Sequence, residues 1–432
     1  MLTSLLFRRS ECSQRSCPGL GAMLLVSGLF FSGCSSIWEQ FLEYRCPSGA
    51  LCSSNADAQY ASDMAGLGAS DMSADGTRDM IGTNPSIFKT QNTYTVAGLL
   101  SSTAVAVADI NSDTKPDIAV TSPNGVSIAL GDGTGGFNFL SPVLAGNSPA
   151  NLAVGDFNGD AKIDLVVANN SGGNISVLLG NGLGGFSAPS NFTVGSAPVS
   201  VAVGDFNRDM KLDVAVANSG SVSVSVLLGN GLGSLGPATN ISVGKKPGAV
   251  AVADFNRDMN LDVVVTPVGP GVDVMLGTGT GAFGPISSFS AGGLDNPGTS
   301  VAVVDFNLDN NIDIAMVTHA SQGYQMSILL GTGLGSFGSA RNFLAGGDDC
   351  CSFAVGDLNL DMKPDIILGT LFSSAVGVFL GDGKGGLGTI RRYYDGGMYV
   401  ALGDFNKDMK PDLVSITHNV SPNVFIGLNQ SP

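Results

Sequence analysis

The sequence predicts an all-β protein, and more closely a seven-bladed β-propeller made of four-stranded blades. Two observations carry this prediction. One unit of about fifty residues recurs seven times from residue 104 to the end, and each unit contains four short segments that alternate with turn residues. The composition agrees, because 61 Gly and only 13% charged residues are typical of many short strands and tight turns.

The repeat is centred on the pattern Asp-x-Asn-x-Asp-x-x-x-Asp, which stands between two apolar runs. Its seven copies begin at intervals of 47, 49, 49, 51, 52 and 47 residues. Seven matches at four fixed positions indicate one repeated structural unit. A unit of this size cannot bury both faces of its sheet alone, so its neighbours must cover them.

The second unit illustrates how each blade divides into strands. Apolar runs at 152–155, 164–168 and 175–179 are bounded by turn residues and predict three strands buried on both faces. A turn at 169–173 separates the second strand from the third. A glycine-rich turn at 180–185 leads into a more polar outer strand at 186–194.

The chain also predicts how the ring closes. After the seventh aspartate loop only two strands remain before the end, at 413–417 and 424–428. The segment 87–96 resembles an additional fourth strand, because its Thr93-Tyr-Thr-Val96 is similar to Asn191-Phe-Thr-Val194. The N-terminal strand is therefore expected to complete the last blade and to remove a free sheet edge.

The residues before the propeller predict export. We interpret residues 1–33 as a lipoprotein-type signal peptide, since a basic region that includes Arg8 and Arg9 precedes a short apolar run and then Ser32-Gly33-Cys34. Cys34 is the expected lipidation site, which would anchor the protein to a membrane without spanning it. An ordinary signal peptide is the alternative. Residues 34–84 are expected to form a flexible acidic tether, and 85–432 the propeller.

Four further cysteines remain after this cleavage. Cys46 and Cys52 could close a small loop, whereas Cys350 and Cys351 are adjacent and could be either bonded or reduced. Export permits disulfides, but sequence alone leaves the pairing open.

The formal net charge of −16 excludes several classes of function. No basic patch is present, so nucleic-acid binding is not expected. The Gly-x-Gly-x-x-Gly turns lead into strands rather than helices, which excludes a dinucleotide fingerprint. His319 and His418, the only histidines, lack a nucleophile motif nearby and are interpreted as structural loop residues. The basic and aromatic cluster 391–394 is interpreted as a solvated outer strand of blade six.

The repeated carboxylates instead predict a calcium site in every blade. Positions 1, 3, 5 and 9 of each loop offer only hard oxygen donors, which calcium prefers and which zinc does not. The expected ligands are Asp109, Asn111, Asp113, Asp117, Asp156, Asn158, Asp160, Asp164, Asp205, Asn207, Asp209, Asp213, Asp254, Asn256, Asp258, Asp262, Asp305, Asn307, Asp309, Asp313, Asp357, Asn359, Asp361, Asp365, Asp404, Asn406, Asp408 and Asp412. The alternative is that these residues are plain turn formers.

Position 6 departs from the usual calcium loop, where Gly makes the sharp turn. The seven residues there are Thr114, Ala161, Met210, Met259, Asn310, Met362 and Met409. A positive φ at a non-Gly residue costs about 1–2 kcal/mol. Either the loop turns differently, or the affinity for calcium is reduced.

These units resemble the FG-GAP or VCBS repeat family, to which the head propeller of integrin α subunits belongs. The resemblance rests on segments such as Val203-Gly-Asp-Phe-Asn-Arg-Asp-Met-Lys-Leu-Asp213 and Val226-Leu-Leu-Gly-Asn-Gly231, and it covers residues 87–432. It implies a propeller with calcium in its loops and a place outside the cell.

The expected function is a non-enzymatic, calcium-binding module for a protein or polysaccharide ligand. It is expected as a monomeric propeller held by its lipid anchor at a bacterial outer membrane or cell surface. Two alternatives stay open. One is a polysaccharide-active enzyme with a site on a propeller face or in the channel, and the other is a purely structural envelope lipoprotein.

Overall fold

The computed structural model describes residues 87–96, 103–123, 125–269, 271–293, 300–321, 323–346, 350–370, 375–394, 396–417 and 423–431. These residues form seven antiparallel sheets of four strands each, which confirms the seven-bladed propeller. The described part contains one 3-10 turn, Asn170–Gly172, and no α-helix. It accordingly has no helix long and apolar enough to cross a bilayer. The signal peptide, the tether, Cys34, Cys46, Cys52 and His418 lie outside the described residues.

The first four blades follow one another along the chain, and each takes its four strands in sequence order. Blade 1 consists of β2 (Val105–Ala108), β3 (Asp117–Ser122), β4 (Gly125–Gly131) and β5 (Phe137–Phe139). Blade 2 consists of β6 (Pro149–Gly155), β7 (Asp164–Asn169), β8 (Asn174–Leu178) and β9 (Ser190–Thr193). Blade 3 consists of β10 (Pro198–Gly204), β11 (Asp213–Asn218), β12 (Ser223–Leu227) and β13 (Thr239–Ser242). Blade 4 consists of β14 (Pro247–Ala253), β15 (Asp262–Pro267), β16 (Gly271–Gly277) and β17 (Phe283–Ser290).

The last three blades keep the same order, with one exchange at the closure. Blade 5 consists of β18 (Val301–Val304), β19 (Asp313–Ala320), β20 (Gly323–Leu329) and β21 (Arg341–Gly346). Blade 6 consists of β22 (Cys350–Gly356), β23 (Asp365–Thr370), β24 (Ala375–Phe379) and β25 (Arg391–Tyr394). Blade 7 consists of β26 (Tyr399–Gly403), β27 (Asp412–Ile416), β28 (Asn423–Asn429) and the N-terminal strand β1 (Phe88–Thr95).

The pairing of β1 with β28 confirms the predicted closure. The two strands are antiparallel, and Phe88 lies opposite Asn429. Across the closure the Phe137 backbone N–H of blade 1 donates to the Tyr94 hydroxyl oxygen at 2.8 Å. Buried side chains of blades 1 and 7, among them Ile118 and Val414, share one apolar cluster. The ring therefore has no free edge between its first and last blades.

The apolar core lies between the blades. Second and third strands are buried on both faces, so Val166 and Val177 of blade 2 pack with Val214 and Val216 of blade 3. This arrangement explains the continuous apolar runs in the sequence, since each sheet is covered by a neighbour on either side.

The outer strand of blade 2 is shorter than predicted. We expected 186–194, whereas β9 covers only Ser190–Thr193. Phe186 forms an isolated bridge with Gly180, and Pro189 then has no N–H to continue the ladder. The predicted turn at 169–173 contains the 3-10 turn noted above.

Candidate functional site

The aspartate loops lie at one end of the propeller, between the first and second strands of each blade. The glycine-rich turns between third and fourth strands lie at the same end. The two are joined across blades, because the turn N–H of Gly233 donates to the Phe157 carbonyl of the preceding blade at 2.9 Å. Equivalent bonds join Gly281 to Phe206 and Gly335 to Phe255. We call this the Asp-loop end.

The position-1 carboxylate organises each loop by accepting backbone N–H groups. In the third loop the Asp205 Oδ1 accepts from the Asp209 N–H at 3.1 Å, and its Oδ2 accepts from the Met210 N–H at 2.7 Å. The Asn207 side-chain oxygen accepts from the same Asp209 N–H at 3.0 Å. The oxygens of positions 1 and 3 therefore converge within one loop turn.

The position-9 carboxylate has a different and buried role. Asp213 is fully buried, its Oδ2 accepts from the Phe206 N–H at 2.9 Å and its Oδ1 from the Gly229 N–H at 2.7 Å. It therefore links the loop to the end of the third strand. The same pair of bonds occurs in every blade, with Asn429 in the place of the glycine in blade 7.

Burial raises the pKa of these position-9 carboxyl groups, although the backbone N–H donors act to lower it. The pKa rises to about 6 for Asp262, Asp313, Asp365 and Asp412. Neighbouring loop aspartates contribute to the increase, since their negative charges disfavour ionisation. In the metal-free arrangement, ionisation of these groups therefore costs stability.

Position 5 carries a more exposed carboxylate that pairs with lysine in four loops. The lysine stands at position 7, and the pairs are Lys115 with Asp113, Lys162 with Asp160, Lys211 with Asp209 and Lys363 with Asp361, at 2.8–3.1 Å. The hydrogen bond from the lysine lowers the pKa of Asp160 and of Asp209. Sequence reasoning missed this pairing, although the recurrence of lysine at position 7 is visible in the repeat.

Loops 4 and 5 have asparagine at position 7 and instead receive an arginine from the preceding blade. The backbone N–H of Asn311 and the charge on Arg257 lower the pKa of Asp309. Burial acts to raise the pKa of Asp258, but hydrogen bonds and the charge on Arg208 outweigh it. In loop 7 the Lys410 Nζ bonds the Ser431 carbonyl rather than Asp408. A protein cation thus compensates position 5 in six of the seven loops.

Position 6 adopts the left-handed conformation in every loop, with φ between 62° at Ala161 and 68° at Met259. The loops therefore turn as a glycine-containing loop would, despite the side chains. Position 4 is left-handed as well, for example at Arg208 with φ 62°. Each loop consequently contains two strained residues, apart from Gly159 in loop 2.

In each loop the predicted ligands lie in one turn. Their oxygens accept hydrogen bonds from backbone N–H groups and, at position 5 of four loops, from a lysine. Among the described residues no three His, Cys, Asp or Glu side chains are grouped so as to hold a metal ion. The donor chemistry fits calcium, because only carboxylate and amide oxygens line the turn. Calcium would require the position-5 carboxylate to join positions 1 and 3, and in four loops to leave its lysine.

The remaining candidates from the sequence have structural surroundings. His319 lies in β19 rather than in a loop, and its ring packs edge-on against Tyr324 at 4.9 Å between centroids. Arg391–Tyr394 forms β25, the outer strand of blade six, as predicted, but the prediction that it is solvated was wrong. Tyr393 is buried in an apolar cluster, and the Arg392 guanidinium donates to the Ala345 carbonyl of blade 5 at 2.9 Å.

A cleft of about 510 Å³ opens between blades 3 and 4 near their outer strands. Leu228, Ile241 and Phe283 form its apolar wall, and Thr239 and Thr280 supply hydroxyl groups. An apolar wall with a few hydroxyl groups is a setting in which a small ligand can be oriented. No sequence pattern predicts this cleft, because its walls come from two different repeats.

Together these features define a seven-bladed propeller with an acidic loop in every blade. The FG-GAP-like repeat family matches the chain at residues 109–167, 156–216, 205–265, 254–316 and 305–368. The chain belongs to this family. No curated protein sequence matches it.

Solved structures share the fold at low sequence identity. A lectin of Agrocybe aegerita that recognises non-reducing terminal N-acetylglucosamine has a TM-score of 0.53 and 19% identity, over 78% of this chain and 88% of the lectin. A protein from Lactobacillus plantarum has a TM-score of 0.51 and 12% identity, over 75% of this chain and 91% of that protein. The biofilm matrix protein Bap1 of V. cholerae has a TM-score of 0.43 and 12% identity, over 80% of this chain and 91% of Bap1.

Proposed function

We propose that the protein is an exported, non-enzymatic binding module whose loops bind calcium and whose partner is a polysaccharide or a protein. The single observation behind it is the regularity of the blades: the same set of oxygen donors occurs in all seven, and the described loops carry no catalytic insertion. A lipid on Cys34 would hold the module at a bacterial outer membrane or cell surface. The 28 loop positions named from the sequence are the proposed ligands.

The burial of the position-9 carboxylates supports the calcium proposal. Three carboxylates stand in each loop, and the four that titrate near pH 6 are ionised at a cost in the metal-free state. A divalent cation would stabilise their ionised form and so stabilise the folded protein. Each position-9 oxygen can still accept beyond its backbone bonds, because a carboxylate has about four lone-pair sites.

The cleft between blades 3 and 4 supports a carbohydrate as one partner class. A lectin of the same fold recognises a sugar, and the cleft offers the Phe283 ring beside two threonine hydroxyls. Sugar rings present both an apolar face and hydroxyl groups, which suits such a wall.

Thermal unfolding with calcium and with chelator, together with metal analysis, tests the calcium proposal. We expect a higher midpoint in calcium, with about one ion bound per blade. Equal midpoints and no bound metal would show that the loops are stabilised by their own hydrogen bonds and cations alone.

A glycan array in calcium buffer tests the partner class, with Thr239→Trp as the variant. Thr239 is exposed on β13, so the larger ring should fill the cleft without disturbing the core. A glycan bound by the wild type and lost by the variant supports the cleft. Turnover of a glycan would instead favour the enzyme alternative.

A further inference from the structure

The Asp-loop end carries most of the exposed large apolar side chains of the described residues. Four methionines at position 6 are exposed by 73% (Met259) to 94% (Met210), and the other two are Met362 and Met409. Leucines at the tips of three glycine-rich turns are exposed at the same end: Leu183, Leu232 and Leu334. Two position-4 leucines, Leu308 and Leu360, complete the set. We call these nine residues the apolar ring.

The backbone N–H of each ring methionine donates to the position-1 carboxylate of its loop, but the methionine side chain is left in water. Each has a φ between 63° and 68°, a conformation that costs about 1–2 kcal/mol for a residue with a Cβ. Each also leaves an apolar side chain in water. A side chain that is both strained and exposed indicates a contact outside the free protein.

The positions of the ring residues around the propeller favour a partner with an extended surface over a single peptide. Every blade from 2 to 7 supplies at least one member, whereas blade 1 has Thr114 and Thr134 at the corresponding positions. The side chains stand on separate loop tips and do not line one groove. A single peptide would contact one sector of this ring, but an extended surface can contact all of it.

The chain itself indicates which surface that is. It enters the propeller at the Asp-loop end, where the Gln430 backbone N–H donates to the Ile87 carbonyl at 2.7 Å. Residues 35–86 would join this end to a lipid on Cys34. At about 3.3 Å per extended residue, that connection lets the Asp-loop end reach the bilayer that holds the lipid.

We propose that the apolar ring docks the Asp-loop end onto a phospholipid bilayer. This rests on the proposed lipid anchor and calcium loops, and it names the surface that they serve. Unbranched, flexible methionine side chains suit a fluid, irregular surface, and shallow burial of apolar side chains at the headgroup boundary is favourable.

Charge makes this docking depend on calcium. The seven loops contain 21 aspartates and eight Lys or Arg, which gives the loops a formal charge of −13 when no metal is bound. Such a surface is repelled by anionic lipids. Seven calcium ions would bring the loops to about +1, so calcium is expected to strengthen docking on anionic bilayers.

Oxidation of methionine by hydrogen peroxide, followed residue by residue with mass spectrometry, tests the proposal. The full-length protein is compared free in solution and bound to vesicles of phosphatidylethanolamine and phosphatidylglycerol. Met210, Met259, Met362 and Met409 should be oxidised to the sulfoxide several-fold more slowly on vesicles. The buried Met275, Met316 and Met326 report that the protein stays folded, since they should resist oxidation throughout.

Leu144→Met provides the matched control. Leu144 is 70% exposed but lies at the opposite end, next to Val143, which pairs with Val126 at the start of β4. This probe should oxidise equally with and without vesicles. Protection of the four ring methionines, in calcium or in chelator, supports docking. Equal oxidation of the ring and of the Leu144→Met probe on vesicles, in both conditions, would overturn it.

Failure of the docking proposal can be distinguished from failure of the proposed function. Calcium-dependent melting and glycan capture are measured without vesicles. A variant with the ring leucines Leu183, Leu232 and Leu334 changed to Gln leaves the aspartate loops unaltered, so it should keep both properties and should bind vesicles more weakly. The same ring variant is also made in a Cys34→Ser background, which removes the proposed lipid anchor. If the ring substitutions leave vesicle binding of the Cys34→Ser protein unchanged, the docking proposal is wrong.

Discussion

Replacement of Asp213 by alanine should destabilise the propeller far more than replacement of its loop neighbour Asp209. Asp213 is fully buried and accepts the backbone N–H groups of Phe206 and Gly229 at 2.9 and 2.7 Å. Alanine leaves both donors without a partner, at about 1–3 kcal/mol each. Part of this loss is offset, because burial raises the pKa of Asp213 and the substitution removes a buried carboxylate that is costly to ionise. We therefore expect a net loss of about 2–4 kcal/mol in the free energy of unfolding.

Asp209→Ala is the matched control, because it removes one carboxylate from the same loop. Asp209 is partly exposed, and its ion pair with Lys211 at 3.0 Å contributes about 1 kcal/mol or less. Urea unfolding of both variants in chelator measures the difference. Equal losses would refute the argument that position 9 holds the blade together. In calcium both variants should lose the stabilisation contributed by that one loop, because both are proposed ligands.

Three further changes test other parts of the loops. In chelator the midpoint of thermal unfolding should rise as pH falls from 7.5 to 5, because the folded pKa of about 6 at Asp262, Asp313, Asp365 and Asp412 exceeds the ordinary value of 3.8 and the folded state then binds more protons. Each group contributes at most about 3 kcal/mol. A midpoint that falls over this range would contradict the assignment. Below about pH 4 the trend should reverse, as position-5 groups with a lowered pKa, such as Asp160, become protonated and lose their lysine. Met210→Gly should raise stability in urea by up to about 1 kcal/mol because it relieves the strain at φ 63°, whereas Met210→Val should lower it. Lys211→Ala should increase calcium affinity in blade 3, because the lysine Nζ no longer competes for the Asp209 carboxylate. Calorimetry measures this affinity, with Lys246→Ala as a distant control. Unchanged affinity would mean that the lysine does not compete with calcium for Asp209.

The repeat made the architecture predictable because its signals are local and occur seven times. Apolar runs and glycine turns locate the strands. No fourth strand follows Leu428, so the last blade had to be completed by an N-terminal strand, which is β1. The start of β9 was less predictable, since Pro189 has no N–H to continue the ladder with the third strand.

The roles within the loops were harder to predict, because they depend on contacts between segments. Spacing shows that Asp213 belongs to the loop but not that its two oxygens bind the N–H groups of Phe206 and Gly229. Likewise, Arg257 is simply position 4 of one loop in the sequence. Only the ring geometry places it beside Asp309 of the next blade, where no lysine follows at position 7.

The loops thus combine two costs that the fold must offset: left-handed residues at positions 4 and 6, and carboxylates that repel one another. Hydrogen bonds to the backbone offset the first, and lysine or arginine offsets part of the second at position 5. Position 9 has no such cation, and there the pKa is raised. Since protein cations already compensate position 5, the remaining need for positive charge is at the buried end of the loop. Calcium would meet that need by drawing position 5 inward, so its binding and the release of Lys211 should occur together.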